Sequence, residues 1–362
     1  MKKICIYSLL ILFNVFGVKA AAGFLYHEES KLVRSFYAGQ QTQLEVNNKY
    51  GTVQVNTWDK DSVKFIITTT LKAEESEIFQ KLKSSIDFEF INTKYYVVAR
   101  SMFSSSSNAF YRAIQDAFKN DGAISVNWDI YVPETCKLKI ENKYGGLYAG
   151  NLNGVLDFNI EHGDFKANDI KGELKLEANF AEIDINSVEH GRLLINYSTI
   201  SLSKGNVLDI ESKTSELDIS DVAEIKIKGK RDKYYLNNIK TVDIQSFFCK
   251  IDAKNIEKKF FGSLRYGSLD LIVKEQALEI LNITSNSADT KINLESFPLN
   301  YNLKINHKKT RIILPNDIIG LKDERINEKD EIYYLTGYKG DAIKKTEIKC
   351  NLSNCEFSLF ER

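Results

Sequence analysis

The chain repeats itself at a short, fixed interval, and this constrains its fold more than any other feature. Asn48-Lys49-Tyr50-Gly51 recurs as Asn142-Lys143-Tyr144-Gly145, each time ahead of a short apolar alternation, Val53/Val55 and Leu147/Ala149. With Tyr144 as an anchor, equivalent positions follow at His162, Phe180, Tyr197, Thr214, Arg231, Phe248 and Tyr266, always 17 or 18 residues apart. Each anchor is followed by an alternating apolar pair, such as Ile183/Ile185 or Leu217/Ile219. Each is also preceded by one, such as Leu156/Phe158 or Leu208/Ile210. The interval loosens at Ser287 and Lys309, and Tyr50 and Asn354 are outlying copies.

Alternation with period two marks short strands with one buried face. A pair of such strands has too little apolar surface to fold alone, but repeats stacked at ~4.8 Å share one continuous core. A propeller blade would repeat at about 40–50 residues, and an antiparallel meander does not hold one spacing through so many successive intervals. The expected fold is therefore all-β, a β-solenoid with 17–18-residue coils. Tyr-Gly reads as the corner between two strands of a coil. Glycine would supply the backbone geometry that other residues resist, and tyrosine would stack on the next corner. The polar column Asn56, Asn168, Asn186, Ser203, Ser220, Asn237 and Asn293 reads as turn residues that satisfy backbone groups.

Four regions are expected. Residues 1–20 read as a secretory signal peptide: Lys2 and Lys3, an apolar run from Ile4 to Val18, then small residues. Residues 21–135 hold the first coil and an α+β segment, with strands at 62–71 and 86–100 and helices at 74–84 and 108–119. That segment is read as a cap over an open solenoid end. Residues 136–315 form the solenoid, and 316–362, rich in charge, form a C-terminal cap with a final strand pair. No transmembrane helix is expected in the mature chain, and its location is expected to be the periplasm or the cell surface. The full chain balances 49 basic against 49 acidic residues, so a concentrated basic face for nucleic acid is not expected.

No residues suggest a cofactor. His27, His162, His190 and His307 lack metal-ligand spacing, and no nucleophile-elbow, phosphate-loop or dinucleotide motif is present. His162 reads as a stacked corner residue. Four residues after each anchor lies an outward column, from which Tyr148, Asp184, Asp218, Tyr235, Asp252 and Asp270 form the candidate binding face. Carboxylates about 5 Å apart would suit retaining glycoside hydrolysis, and carboxylates would also suit calcium or sugar hydroxyls. A solvated sheet face produces the same pattern and is the stronger reading. Cys350 and Cys355 are the candidate disulfide, whereas Cys136 and Cys249 fall roughly 29 Å apart and should not pair.

The stretches NKYGTVQVNTWDKDSV and DIYVPETCKLKIENKYGGLYAGNLNGVLDFNIEHGDFKANDIKG resemble the adhesin-like β-solenoid family of exported bacterial proteins, common in Bacteroidota. The resemblance covers about residues 40–314, implies an exported right-handed solenoid, and supplies no catalytic residues to carry over. The expected function is a non-enzymatic adhesin-like binding or scaffold module of the cell envelope, with a surface glycan or envelope protein as partner. The alternatives are a carbohydrate-active β-helix enzyme of polysaccharide lyase or glycosidase type, or a periplasmic envelope-stress signalling component.

Overall fold

All twelve anchor positions share one backbone conformation. From Tyr50 and Tyr144 to Lys309 and Asn354, their φ angles lie between 49° and 63°, the left-handed region that side chains with a Cβ resist. This corrects the expected role of the glycine. The anchor itself makes the left-handed bend, while Gly51, Gly145 and Gly163 lie outside that region. The glycines are needed for space: a Cβ on Gly145 would lie 2.1 Å from the Gly51 carbonyl oxygen, and one on Gly163 would lie 2.0 Å from that of Gly145. A second left-handed corner follows at Asp221, Asn238 and Asn255, with φ of 48°, 55° and 56°.

The computed structural model describes residues 25–39, 41–104, 124–274, 278–295, 300–340 and 346–361. The expected signal peptide and the expected helix at 108–119 lie outside these residues. Among the described residues the protein is almost wholly β, with one helix, Ser76–Ser85. The strands join one large sheet that does not close into a barrel.

Between the corners the strands pair in parallel with the next repeat, called a rung below. Leu156 lies opposite Leu174, Ile183 opposite Ile200, Leu208 opposite Ile225 and Leu217 opposite Tyr234. Because strand side chains alternate between faces, matching registers stack like on like. The inward positions Phe158, Phe165, Leu176, Ile183, Ile195, Ile210, Ile219, Ile227 and Ile244 are all buried in one continuous core. Later the register widens, with Phe260 opposite Leu281 and Leu271 opposite Ile292.

Both ends depart from this plan. The first rung, Gln43–Lys49 and Val53–Thr57, pairs in parallel with Lys137–Lys143 and Leu147–Ala149. Its other edge takes Tyr96–Phe103 and Ile124–Val132. Outside these, Ser62–Ala73 pairs antiparallel with both Ile124–Val132 and Tyr26–Tyr37. The expected strand at 86–100 is two antiparallel strands, Ile86–Asn92 and Tyr96–Phe103, joined by a turn in which Thr93 Oγ1 accepts from the Tyr95 and Tyr96 N–H groups. The helix buries Phe79 and Leu82 in a small cluster with Leu71 and Ala73, separate from the main core. At the other end chain order and spatial order differ. Thr346–Ser353 lies between Ile280–Leu294 and Tyr301–Lys308, parallel to both. The segment before it forms an antiparallel hairpin, Ile319–Asn327 and Ile332–Lys339, whose second strand edges Tyr301–Lys308.

Candidate functional site

The outward column runs along the sheet face in register. Tyr148, Lys166, Asp184, Ser201, Asp218 and Tyr235 lie opposite one another in successive rungs, and Asp270 lies opposite Lys291. Its charges are partly neutralised within the column and beside it. Lys291 Nζ is 3.5 Å from an Asp270 oxygen, and Lys250 Nζ is 4.0 Å from an Asp252 oxygen. The phenol of Tyr148 hydrogen-bonds to Asp164, which with partial burial pushes its pKa up to about 12. Asp184 and Asp218 are exposed, with Ser201 between them. The structure thus aligns Tyr148, Asp184, Asp218 and Tyr235 in one open row, while Asp252 meets Lys250 and Asp270 meets Lys291. Among the described residues, no group of His, Cys, Asp and Glu is placed to hold a metal ion.

The corner edge carries a different feature. Tyr50, Tyr144, His162, Phe180 and Tyr197 stack ring on ring, with successive centroid distances of 5.5, 5.2, 4.9 and 4.9 Å. Interplanar angles run from 15° down to 1°. The stack follows from the fold: a left-handed corner in each rung points its side chain outward, and parallel registration places the next ring about one strand spacing away. Phe180 remains 52 % exposed and Tyr197 44 %. The column stops at Thr214 and Arg231, then resumes as Phe248 on Tyr266 at 4.7 Å and 12°. The sequence showed the ring positions, His162 included, as corner residues. It did not show that so much ring surface stays open to water.

Behind the same corners runs a chain of polar caps. From Ser198 to Cys249 the residue after the anchor faces the previous corner, and its side chain accepts the N–H there. Ser198 Oγ caps the Ala181 N–H at 2.9 Å, Ser215 Oγ caps Ser198 at 3.2 Å, and Asp232 Oδ1 caps Ser215 at 2.7 Å. Cys249 Sγ accepts from the Asp232 N–H at 3.4 Å. Asp232 is only 2 % exposed. Its second oxygen accepts from the Lys230 N–H at 2.7 Å, the Tyr234 hydroxyl at 2.9 Å and the Ser212 hydroxyl at 3.1 Å. Gly229 makes room for that phenol, since a Cβ there would lie 1.7 Å from it. Burial raises the Asp232 carboxyl above the ordinary carboxylate range, opposed by the donors aimed at it. Sequence reading missed this network, although its signal was present: small or polar residues fill every post-anchor position.

The four cysteines of the described residues are free thiols, so the bridge expected between Cys350 and Cys355 is not formed in this structure. Burial pushes both thiols up, and pushes that of Cys136 to about 12. Cys249 and Cys355 both follow an anchor, a place their small side chains fit.

No protein-family model and no curated protein matches the chain. Among solved structures, a provisionally named cell adhesion protein from Clostridium sporogenes aligns over 92 % of this chain and 100 % of its own, at 12 % identity and a TM-score of 0.23. A provisionally named adhesin from Parabacteroides distasonis aligns over 73 % of this chain and 97 % of its own, at 10 % identity and 0.36. A provisionally named lipid binding protein from the same organism aligns over 91 % and 96 %, at 10 % identity and 0.34. TM-scores this low carry nothing for fold or function.

Proposed function

We propose that the chain is an exported, non-enzymatic binding module of the cell envelope, built as a right-handed β-solenoid with 17–18-residue coils between an N-terminal and a C-terminal cap. Parallel pairing of each rung with the next supports the solenoid form. The charged start and apolar run of Met1–Ala20 support export. The single observation that carries the binding role is the corner edge, where Tyr144, His162, Phe180 and Tyr197 present a stacked, half-exposed aromatic column. Contiguous exposed apolar surface on a soluble fold marks an interaction site, and aromatic rings suit the apolar faces of sugars as well as protein side chains. The outward row from Tyr148 to Asp270 flanks this edge with hydroxyl and carboxylate groups that can hold sugar hydroxyls.

The test is binding of the mature chain to a glycan array and to solubilised envelope proteins. The double variant Phe180→Ser/Tyr197→Ser runs in parallel. A ligand held by the native protein and lost by the variant, with the fold intact by circular dichroism, is expected. A ligand held equally by both removes the aromatic edge from the site, and no ligand in either preparation overturns the reading.

A further inference from the structure

The aromatic edge is interrupted, and unpaired charge gathers at the interruption. Tyr197 stacks on Phe180 through one face at 4.9 Å, while the next rung carries Thr214, so the other face meets no ring and is approached by the Lys213 ammonium at 5.5 Å. Arg231 follows before Phe248 resumes the column. One side of this break is a groove lined by Tyr197, Thr214, Arg231 and Lys233. The other side is a groove lined by Lys213, Lys230, Phe247 and Arg265.

Lys213 lies directly opposite Lys230, and Lys230 opposite Phe247. Like charges opposite one another on neighbouring strands repel. Lys49 lies opposite Lys143 in the same column, but there Lys143 also meets Glu161 at 2.5 Å, and the next two positions are the neutral Asn179 and Asn196. At the break, the nearby carboxylates are engaged elsewhere: Glu211 is 4.0 Å from Lys228 and Glu216 is 3.2 Å from Lys233. Lys213 and Lys230 instead stand over the Tyr197 and Phe247 rings, at 5.5 and 5.6 Å, and Arg265 is 5.9 Å from the Phe247 ring centre. Among the described residues these three cations and Arg231 form no ion pair. The protein therefore sets a ring face free of any stacked ring beside Lys213 and Lys230, one strand spacing of ~4.8 Å apart, with Arg265 beyond Phe247, and these cations lack counter-charge.

We propose that this break binds an acidic polysaccharide of the uronic-acid type. A pyranose ring lies on the unstacked face of Tyr197, in the place a corner ring would fill, and the Lys213 ammonium moves from the ring to the sugar carboxylate. Its carboxylates meet Lys213, Lys230 and Arg265. The assignment rests on the binding-module reading above and names its ligand class. A nucleic acid fits less well, because the basic and acidic residues of the chain balance at 49 each.

Titration calorimetry with polygalacturonate, neutral dextran and a single-stranded oligonucleotide tests this on the mature protein. Polygalacturonate is expected to bind, more weakly as salt rises, and dextran is expected not to bind. Lys213→Gln/Lys230→Gln should weaken binding at least tenfold. Thr214→Tyr keeps every charge and fills the slot with the side chain other corners use, so an equal loss there identifies the ring site. Wild-type affinity in Thr214→Tyr, or an oligonucleotide bound as tightly as the polyuronate, overturns the proposal. If polygalacturonate fails to bind while another glycan is lost in Phe180→Ser/Tyr197→Ser, this inference falls and the binding-module reading stands. If neither binds, both fall.

Discussion

The rungs around Tyr144 and those around Arg231 turn the same corner by different means. At Tyr144 and His162 a glycine follows the anchor and the backbones of neighbouring rungs nearly touch. No side chain fits between them, and at Tyr50 and Tyr144 the corner carbonyls are served from inside, by a buried asparagine two residues before the anchor, a position that Ile160 takes before His162. Asn142 Nδ2 donates to the Gly146 and Gly51 carbonyls at 2.8 and 3.0 Å, and Asn48 Nδ2 donates to Asn142 Oδ1 at 3.1 Å. Around Arg231 the post-anchor residue is Ser, Asp or Cys, and it caps the N–H of the rung before. Here the inner positions become Ser212, Gly229 and Ser246, and the space is taken by Tyr234 and Asp232. One solution is rigid and apolar at its tip, with stacked rings. The other is polar behind and charged in front. A repeat fixes the path of the backbone and leaves the chemistry of the corner free to change from rung to rung.

The largest test of this contrast is Gly145→Ala. The new Cβ would meet backbone, which cannot swing aside, so a loss of about 3 kcal/mol or more is expected in chemical denaturation. A much smaller loss would show that the two regions share one corner geometry after all. Asp232→Ala comes next, at about 2 kcal/mol, because it leaves the Ser215 and Lys230 N–H groups and the Tyr234 hydroxyl without their acceptor. Asp232→Asn isolates the charge. Since burial raises the folded-state pKa above the ordinary 3.8, the folded form holds its proton longer than the unfolded chain does. Stability from this group is full below that value and declines as pH rises through the raised one. Melts recorded from pH 3 upward should show this decline in the wild type and lose it in Asp232→Asn; parallel curves would remove Asp232 as its source.

The corner rings give smaller effects. Phe180→Ala should lose about 1 kcal/mol by thermal melting, and Thr214→Tyr, which joins a ring to the column, should gain a similar amount. A destabilised Thr214→Tyr would mean that the polar corner does not accept the aromatic solution. Lys213→Gln has the smallest expected effect, a gain of a few tenths of a kcal/mol at low salt that vanishes at high salt, by relief of its repulsion with Lys230.

The repeat made the anchors legible, because a period-two pattern held in register is written directly in residue type. All twelve anchors fall at left-handed corners. The register of Tyr148 to Tyr235 across successive rungs follows from the same pattern. Other features depend on contacts between rungs that no local pattern encodes. The glycine was given the anchor's bend because glycine is the usual left-handed residue, whereas its actual constraint is the carbonyl of a neighbour distant in sequence. Tyr26–Tyr37 carried no period and was missed, although it edges Ser62–Ala73 over its whole length. The second corner at Asp221, Asn238 and Asn255 could have been found from its spacing, and there Asn238 Nδ2 donates to Asp221 Oδ1 at 2.9 Å. The unpaired cations at the break were invisible, since pairing depends on which glutamate each lysine reaches in space.

The placement of Thr346–Ser353 between two strands that precede it in the chain bears on how the molecule is made. A chain that emerges from its N-terminal side can add rungs one upon another as far as Ile280–Leu294. Tyr301–Lys308 then appears before the strand that should join it to the stack, and it has to wait, with one ladder edge unmet, while the hairpin between is laid down. Assembly at this end is an insertion rather than an extension, with a long loop to close before the contacts that reward it. A chain stopped short of Thr346 would leave two open strand edges, the kind of surface that draws other chains into aggregates.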